Sequence, residues 1–390
     1  MFQAVQRSGA QVKIPLSAPD ITEAEIAAVT RVLRTPHLSL GPELTAFEQE
    51  FAAYHRVPHA VAVSSGTAGL HLALLTLGIG PGHEVILPAF TFVAVANAVL
   101  QVGAKPVLAD IDATTLNLDP ASVEEKITPR TRAIIAVHTF GIPADIDALL
   151  DIARRDNLFL IEDACEAIGA EWNSPVHSGR AGSFGHLAVF GFYPNKQITT
   201  GEGGMVLAHD PVHADRLRSL RNQGRLPGAG WLDHSEPGYN YRLSELACAL
   251  GRVQLTRLHE ILPLRASAAQ CYNNLLAGVD DLILPPLAVS HRTLSWFVYV
   301  VQIPNSIARQ TNGRARIRQA LEEQGIATGL YFPPLHRQPA LGASVGGSGF
   351  HLPVTESVSS RTLALPFFTR ITTETQSFVA QALLAALQTK

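Results

Sequence analysis

The sequence predicts an α/β protein: a large domain built on a mostly parallel sheet with helices on both faces, followed by a smaller α+β domain. Three observations lead there. At 390 residues the chain exceeds what a single hydrophobic core usually organises, which favours two domains. Between residues 60 and 208, short apolar runs bounded by turn residues alternate with segments long enough for helices, the pattern of βαβ units. Beyond about Leu262 that alternation stops.

The first helix is expected to start at Thr22, where Thr22-Glu23-Ala24-Glu25 forms a capping box, with Ile26, Val29 and Leu33 lining one face. A second follows from Pro42, with Leu44, Phe47, Phe51 and Tyr54 at helical spacing. Strands are predicted over 60–63, 84–87, 106–109, 133–137 and 158–161, then over 186–192 and 204–208. Helical segments at 211–221 and 243–259 close the large domain, placed at residues 14–260. In the remaining domain, 261–390, a strand over 296–303 precedes a helix around 314–323 and a terminal helix after Thr373.

Hydrophobic residues make up 47% of the chain and charged residues 16%, the balance of a compact enzyme and not of a disordered tail. The formal net charge is −3 and no basic run stands out, so neither nucleic acid nor an anionic membrane is expected as a partner. Cys165, Cys248 and Cys271 form no CxxC pair, which argues against a disulfide framework or a metal site and fits a reducing cytoplasm. Residues 1–13 carry no apolar leader core. The longest apolar stretch, Val85–Ala104, is interrupted by Pro88, Thr91, Asn97 and Gln101, as a strand followed by a helix would be.

In an open α/β sheet, ligands bind beyond the carboxyl ends of the strands, and three such places carry chemistry. Ser64-Ser65-Gly66-Thr67-Ala68 follows the first strand and opens a helix, aiming free N–H groups and a hydroxyl at an anion such as a phosphate. The same residues also read as an ordinary N-capped helix start. Glu162-Asp163 ends an apolar strand, and a buried Asp there needs a cationic partner or several donors unless it caps the next helix. Lys196 sits between the aromatic strand end Phe190-Gly191-Phe192-Tyr193 and a loop with glycines at 201, 203 and 204. Desolvation there would lower its pKa enough for imine chemistry, and the glycines admit a bulky planar group.

The runs SSGTAGLHLAL, LPAFTFVAVANA, IEDACEAIGA, FYPNKQITTGEGG and GYNYRLSELACALG, in that order and at similar spacing, resemble the DegT/StrS-type nucleotide-sugar aminotransferases. These belong to the fold-type I pyridoxal-phosphate enzymes of the aspartate aminotransferase superfamily. The resemblance implies a large domain with a mixed, mostly parallel sheet, a small C-terminal domain and a homodimer. It implies pyridoxal 5'-phosphate as cofactor, Lys196 as the Schiff-base lysine and Asp163 as partner of the pyridine nitrogen. Gly66, Thr67 and Ala68 match the phosphate-binding turn, Phe92 the aromatic residue against the ring, and Asn240 the residue that reaches the phosphate from the partner subunit. Tyr331 and His336, in YFPPLHRQP, match a loop near the substrate.

Two positions depart from the common pattern. Gly191 stands where many members carry a phosphate-binding Ser, and Glu166 where many carry Gln or His near the cofactor's phenolic oxygen. A carboxylate there is protonated, paired with a cation or turned away. The expected reaction moves an amino group from an amino acid, by resemblance glutamate, to a keto sugar, by resemblance nucleotide-linked. Arg225, His37 and Arg337 are candidates for contacts with its anionic groups. A ketocyclitol acceptor is an alternative. A pyridoxal-phosphate sugar dehydratase or a non-catalytic sensor on the same scaffold would be expected to lack Lys196 or Asp163, and both residues are present.

Overall fold

The computed structural model describes residues 13–388 except 227, 229, 231 and 342–350; all but the last residue of the segment 1–13, read as carrying no apolar leader core, lies outside them. Helices α1 (Glu23–Leu33) and α2 (Pro42–His55) lead into the expected alternation of β1 (His59–Val63), α3 (Gly66–Thr76), β2 (Glu84–Pro88), α4 (Ala94–Gln101) and β3 (Lys105–Ala109). It continues with α5 (Pro120–Lys126), β4 (Thr131–Val137), α6 (Ile146–Arg155) and β5 (Phe159–Asp163). A small hairpin, β6 (Glu171–Asn173) and β7 (Ser178–Arg180), precedes β8 (Leu187–Gly191), β9 (Gly204–Ala208) and α7 (Pro211–Arg221). Local chemistry sets the starts of these helices. Asp119, Asp145 and Asp210 each accept a backbone N–H as N-cap, and Pro follows two of them where its missing donor costs nothing.

The central sheet runs β1-β9-β8-β5-β4-β2-β3, with β9 antiparallel to both neighbours and the other pairings parallel. Val61, Val63, Leu87, Ile135 and Val189 face α3, α4 and α7 on one side. On the other, Ala62, Phe190 and Met205 pack against α2 and α8 (Glu245–Thr256), while Ile86, Ile134 and Leu160 pack against α5 and α6. Both faces are therefore covered, which is why these strands read as continuous apolar runs and not as alternating ones.

One expectation fails in α1. Its capping box forms as read, yet the helix buries Glu25, Ala28 and Val32, and leaves Ile26 51% and Leu33 59% exposed. The Glu25 carboxylate decides the rotation. Burial alone would raise its pKa, but bonds from Thr22, Arg257 and Gln254 hold it down at about 2, so the ion pair turns inward and the apolar residues outward.

The predicted helix 243–259 divides at Arg257 into α8 and α9 (Leu258–Leu276). After β10 (Arg292–Thr293), which joins β6, the predicted strand 296–303 shortens to β11 (Tyr299–Gln302), followed by α10 (Asn305–Ala308) and α11 (Gly313–Glu323). Helix α12 (Pro353–Arg361), β12 (Thr362–Leu365), paired antiparallel with β11, and α13 (Thr373–Gln388) complete the chain. Parts of α9, α11 and α13 enclose the second core around Tyr272, Tyr299 and Leu383. The two cores do not separate at one point of the chain. Residue 260 lies inside α9, Ile14 packs with the second core, and Leu335, Leu341 and Leu352 pack with the first.

Candidate active site

Strand β1 ends in the turn that opens α3. Ser65 caps this helix, its hydroxyl accepting the Ala68 N–H at 3.0 Å, so the ordinary capping role is real. The N–H groups of Gly66 and Thr67 meet no acceptor among the described residues, and both residues line a cavity of about 500 Å³. Of the three turn residues, Gly66 and Thr67 present donors to that cavity; the Ala68 amide is spent on the cap. A side chain at Gly66 would lie 2.9 Å from Cys165 Sγ and 3.4 Å from Gly191 Cα, so glycine lets the start of α3 approach the ends of β5 and β8.

At the end of β5, consecutive carboxylates point to opposite faces of the sheet. Glu162 is fully buried away from the cavity, accepting N–H bonds from Gly182, Phe184 and Gly185 at 2.6–2.7 Å and from His138 Nε2 at 2.9 Å. His138 Nδ1 accepts the Ala144 N–H, which assigns the ring proton to Nε2. Burial pushes the Glu162 pKa up, but these donors outweigh it and hold the carboxyl below its usual range. Asp163 lines the cavity, is 6% exposed, and accepts the Cys165 N–H at 3.1 Å.

Lys196 stands in the loop between β8 and β9. The loop is closed by Phe192 N–H to Gly203 O and Thr200 N–H to Phe192 O, with Gly201 at φ +81° where it reverses. Lys196 Nζ lies 3.5 Å from Glu166 Oε1 and 3.9 Å from the centroid of the Phe297 ring. Of the alternatives for Glu166, pairing with a cation is the one observed. Its other oxygen accepts the Phe140 N–H at 2.9 Å. Burial holds its pKa above the usual carboxylate value, while Lys196 and that single N–H pull the other way.

Phe140 and Gly141 both adopt left-handed backbone, which lets Ser295 N–H reach Gly141 O at 2.9 Å. That bond draws Phe297 over the lysine. Gln197 reinforces it, its side-chain amide donating to Glu166 O and to Ser295 O.

Phe92 lines the cavity and is 59% exposed, whereas its neighbour Phe90 is fully buried in the core. Tyr331 lines the cavity too; burial raises its pKa, the nearby Glu166 adds to this, and a bond with Asn195 opposes it. His336 does not line it and instead places Nε2 3.2 Å from Glu356. Asn240 lies exposed on the surface, and Arg225, His37 and Arg337 are not among the lining residues. At Gly191, an added Cβ would meet Cys165 Sγ at 3.3 Å, so the thiol fills the space where a serine would stand. Sequence reading missed Asn195, Gln197 and Phe297. The first two flank Lys196, a signal that was available, but Phe297 lies 101 positions away in sequence with nothing local to mark it.

The DegT/DnrJ/EryC1/StrS aminotransferase family matches residues 19–384. The chain belongs to that family. It is 40% identical over 329 residues to a GDP-perosamine synthase of Caulobacter vibrioides, covering 84% of this chain and 86% of that protein. It is 38% identical over 353 residues to a pleiotropic regulatory protein of Geobacillus stearothermophilus, covering 90% and 91%. The crystal structure of S. venezuelae DesV in complex with a ketimine intermediate superposes with a TM-score of 0.86 at 37% identity, covering 97% and 99%. This aminotransferase therefore uses pyridoxal phosphate.

The cavity suits that cofactor. It offers two free amides at a helix N-terminus for a phosphate, a buried carboxylate for a ring nitrogen, and a lysine with 15% of its side chain exposed. No helix among the described residues is long and apolar enough to cross a membrane.

Proposed function

We propose that this aminotransferase takes the amino group of L-glutamate and delivers it to a nucleotide-linked keto sugar, working as a cytoplasmic homodimer with shared active sites. The observation that carries the reading is the convergence of Lys196, Asp163 and the Gly66–Thr67 amides on one cavity. Bound there, pyridoxal phosphate supplies an electron sink for the carbanion left when an amino acid loses its α-proton. Lys196 would hold the cofactor and would carry the α-proton at Nζ. Asp163 would keep the ring nitrogen protonated, the Gly66 and Thr67 amides would hold the phosphate, and Phe92, which lines the same cavity, would pack beside the cofactor. Tyr331 orients the sugar, and His336, held against Glu356, supports the loop that carries it.

The dimer reading draws on the open apolar face of α1, with Ile26 and Leu33, and on Leu38 and Leu40 beyond it. Asn240 supports the shared site. Tyr239 and Tyr241 stack at 5.1 Å and pin its backbone against His71, leaving Asn240 itself exposed for the phosphate of a second subunit. The cytoplasmic reading draws on the three cysteines of the sequence, which form no CxxC pair.

Mass spectrometry of purified protein with glutamate and a panel of keto nucleotide sugars tests the substrates. Aminated sugar with stoichiometric 2-oxoglutarate is expected. Loss of a sugar hydroxyl without amination would overturn the reading in favour of a dehydratase. Mixing Lys196→Ala with Asn240→Asp, each inactive alone, should restore about a quarter of wild-type activity, since half of randomly paired dimers hold one intact site.

A further inference from the structure

Glu166 is a dry carboxylate with few donors. Among the described residues, one oxygen accepts a single backbone N–H, from Phe140, and the other has only the Lys196 ammonium, at 3.5 Å. The titratable groups that face it are Asp163 from the end of β5, the Cys165 thiol, the Tyr331 hydroxyl and Lys196 itself. Of these only Lys196 carries positive charge. Whenever Lys196 becomes the neutral amine that proton abstraction requires, Glu166 is left desolvated, near a second carboxylate, with one N–H to hold its charge.

We propose that Glu166 stores the proton of Lys196: as the ammonium gives up a proton its N–H bond breaks, an O–H bond forms on Glu166, and the reverse transfer restores the ammonium. Lys–NH₃⁺ and Glu–COO⁻ become Lys–NH₂ and Glu–COOH, with no other reactant and no change in total charge. The cavity thereby obtains a neutral lysine without passing a proton out to water. The inference rests on Lys196 being the cofactor lysine. It also gives a purpose to the carboxylate found where many relatives carry Gln or His: a glutamine can bond to the lysine but holds no proton for it. Burial keeps the Glu166 carboxyl above its ordinary value even beside the ammonium, and the 3.5 Å separation brings the two groups together.

The test uses the full-length, cofactor-free chain with carbon-13 in the glutamate carboxyls, Glu166 being assigned by difference from Glu166→Gln. In Lys196→Met, which removes the cation, Glu166 should titrate at least one pH unit higher than in the unmodified protein, a tenfold gain in proton affinity. Lys196→Arg should return it toward the lower value. A Glu166 that titrates alike in all three overturns the proposal. Should Lys196→Met fail to fold, the pH profile of Lys196 acylation in Glu166→Gln gives the reciprocal reading: the amine should be at least tenfold more reactive at pH 7, and an unchanged profile overturns the proposal. Borohydride fixation followed by peptide mapping separates this from the underlying assignment. Cofactor on another lysine overturns the role of Lys196, whereas cofactor on Lys196 with an unshifted Glu166 overturns only the proton store.

Discussion

Glu162 and Glu166 lie four residues apart, both are buried, and each faces one basic side chain, yet the fold treats them in opposite ways. Glu162 receives three backbone N–H groups and the His138 ring, and its carboxyl is held below the usual range. Glu166 receives one backbone N–H and an ammonium at longer range, and its carboxyl is held above it. Burial is the first cause acting on both, so the number of fixed donors decides the sign. A carboxylate with every lone pair occupied ties down the loop 182–185 and His138. One left partly unsatisfied stays available for proton exchange, and that is the one beside Lys196.

The largest expected effect comes from removing the lysine. Lys196→Ala should lower amino transfer by on the order of 1000-fold or more and abolish borohydride-fixed cofactor, because the chain loses both its attachment point and its base. Retention of fixed cofactor at another lysine would break the assignment.

Next comes Glu162→Gln, which strips a buried network of its charge and turns one acceptor into a donor facing N–H groups. It should cost about 3–5 kcal/mol, read from urea unfolding of the cofactor-free chain. Its pH dependence follows from the depressed folded pKa: the carboxylate's contribution is complete above the unfolded value and fades as pH falls through the folded one. The gap between wild type and Glu162→Gln should therefore be widest near pH 7 and shrink in acid. A pH-independent gap would mean that packing, not charge, is what Glu162 supplies.

Asp163→Asn should reduce turnover by on the order of 100-fold while cofactor still binds, since the ring nitrogen would lose its anionic partner. Near-normal turnover would reduce Asp163 to a cap on Cys165 N–H.

The smallest effect belongs to Glu166→Gln, which should alter stability of the cofactor-free chain by less than Glu162→Gln does, because Glu166 holds one fixed donor where Glu162 holds four. Its sign with pH is opposite to that of Glu162. A folded pKa above the unfolded one penalises the fold as pH rises between the two, so the variant should match wild type in acid and equal or exceed it near pH 8. A loss at pH 8 as large as that of Glu162→Gln would erase the distinction between the two residues.

Much of this was legible in the sequence. The strand runs, the capping box at Thr22, the Pro-led starts of α2 and α7, and the three strand-end motifs all stand where periodicity and turn chemistry put them, because each depends on residues within one or two turns of chain. The part that was not legible depends on distant partners. The pattern of α1 favoured burying Ile26 and Leu33, and it took Arg257, more than 200 residues away, to turn Glu25 inward instead. The run IEDACEAIGA marks three acidic positions but not their fates. Period-two alternation sends Glu162 to one face and Asp163 to the other, and only the placement of the Phe140 amide and of Lys196 decides how Glu166 is held. Phe297 reaches the lysine through a bond between Ser295 and Gly141, residues of two separate stretches whose meeting no local pattern encodes. The sequence by itself determined the architecture, which follows from local periodicity, and marked Lys196, Asp163 and the Gly66–Thr67 turn as candidates through their side-chain chemistry and the family resemblance. Tertiary structure alone decided which carboxylate is saturated and which stays open to a proton, because donor count and desolvation are properties of the packed surroundings.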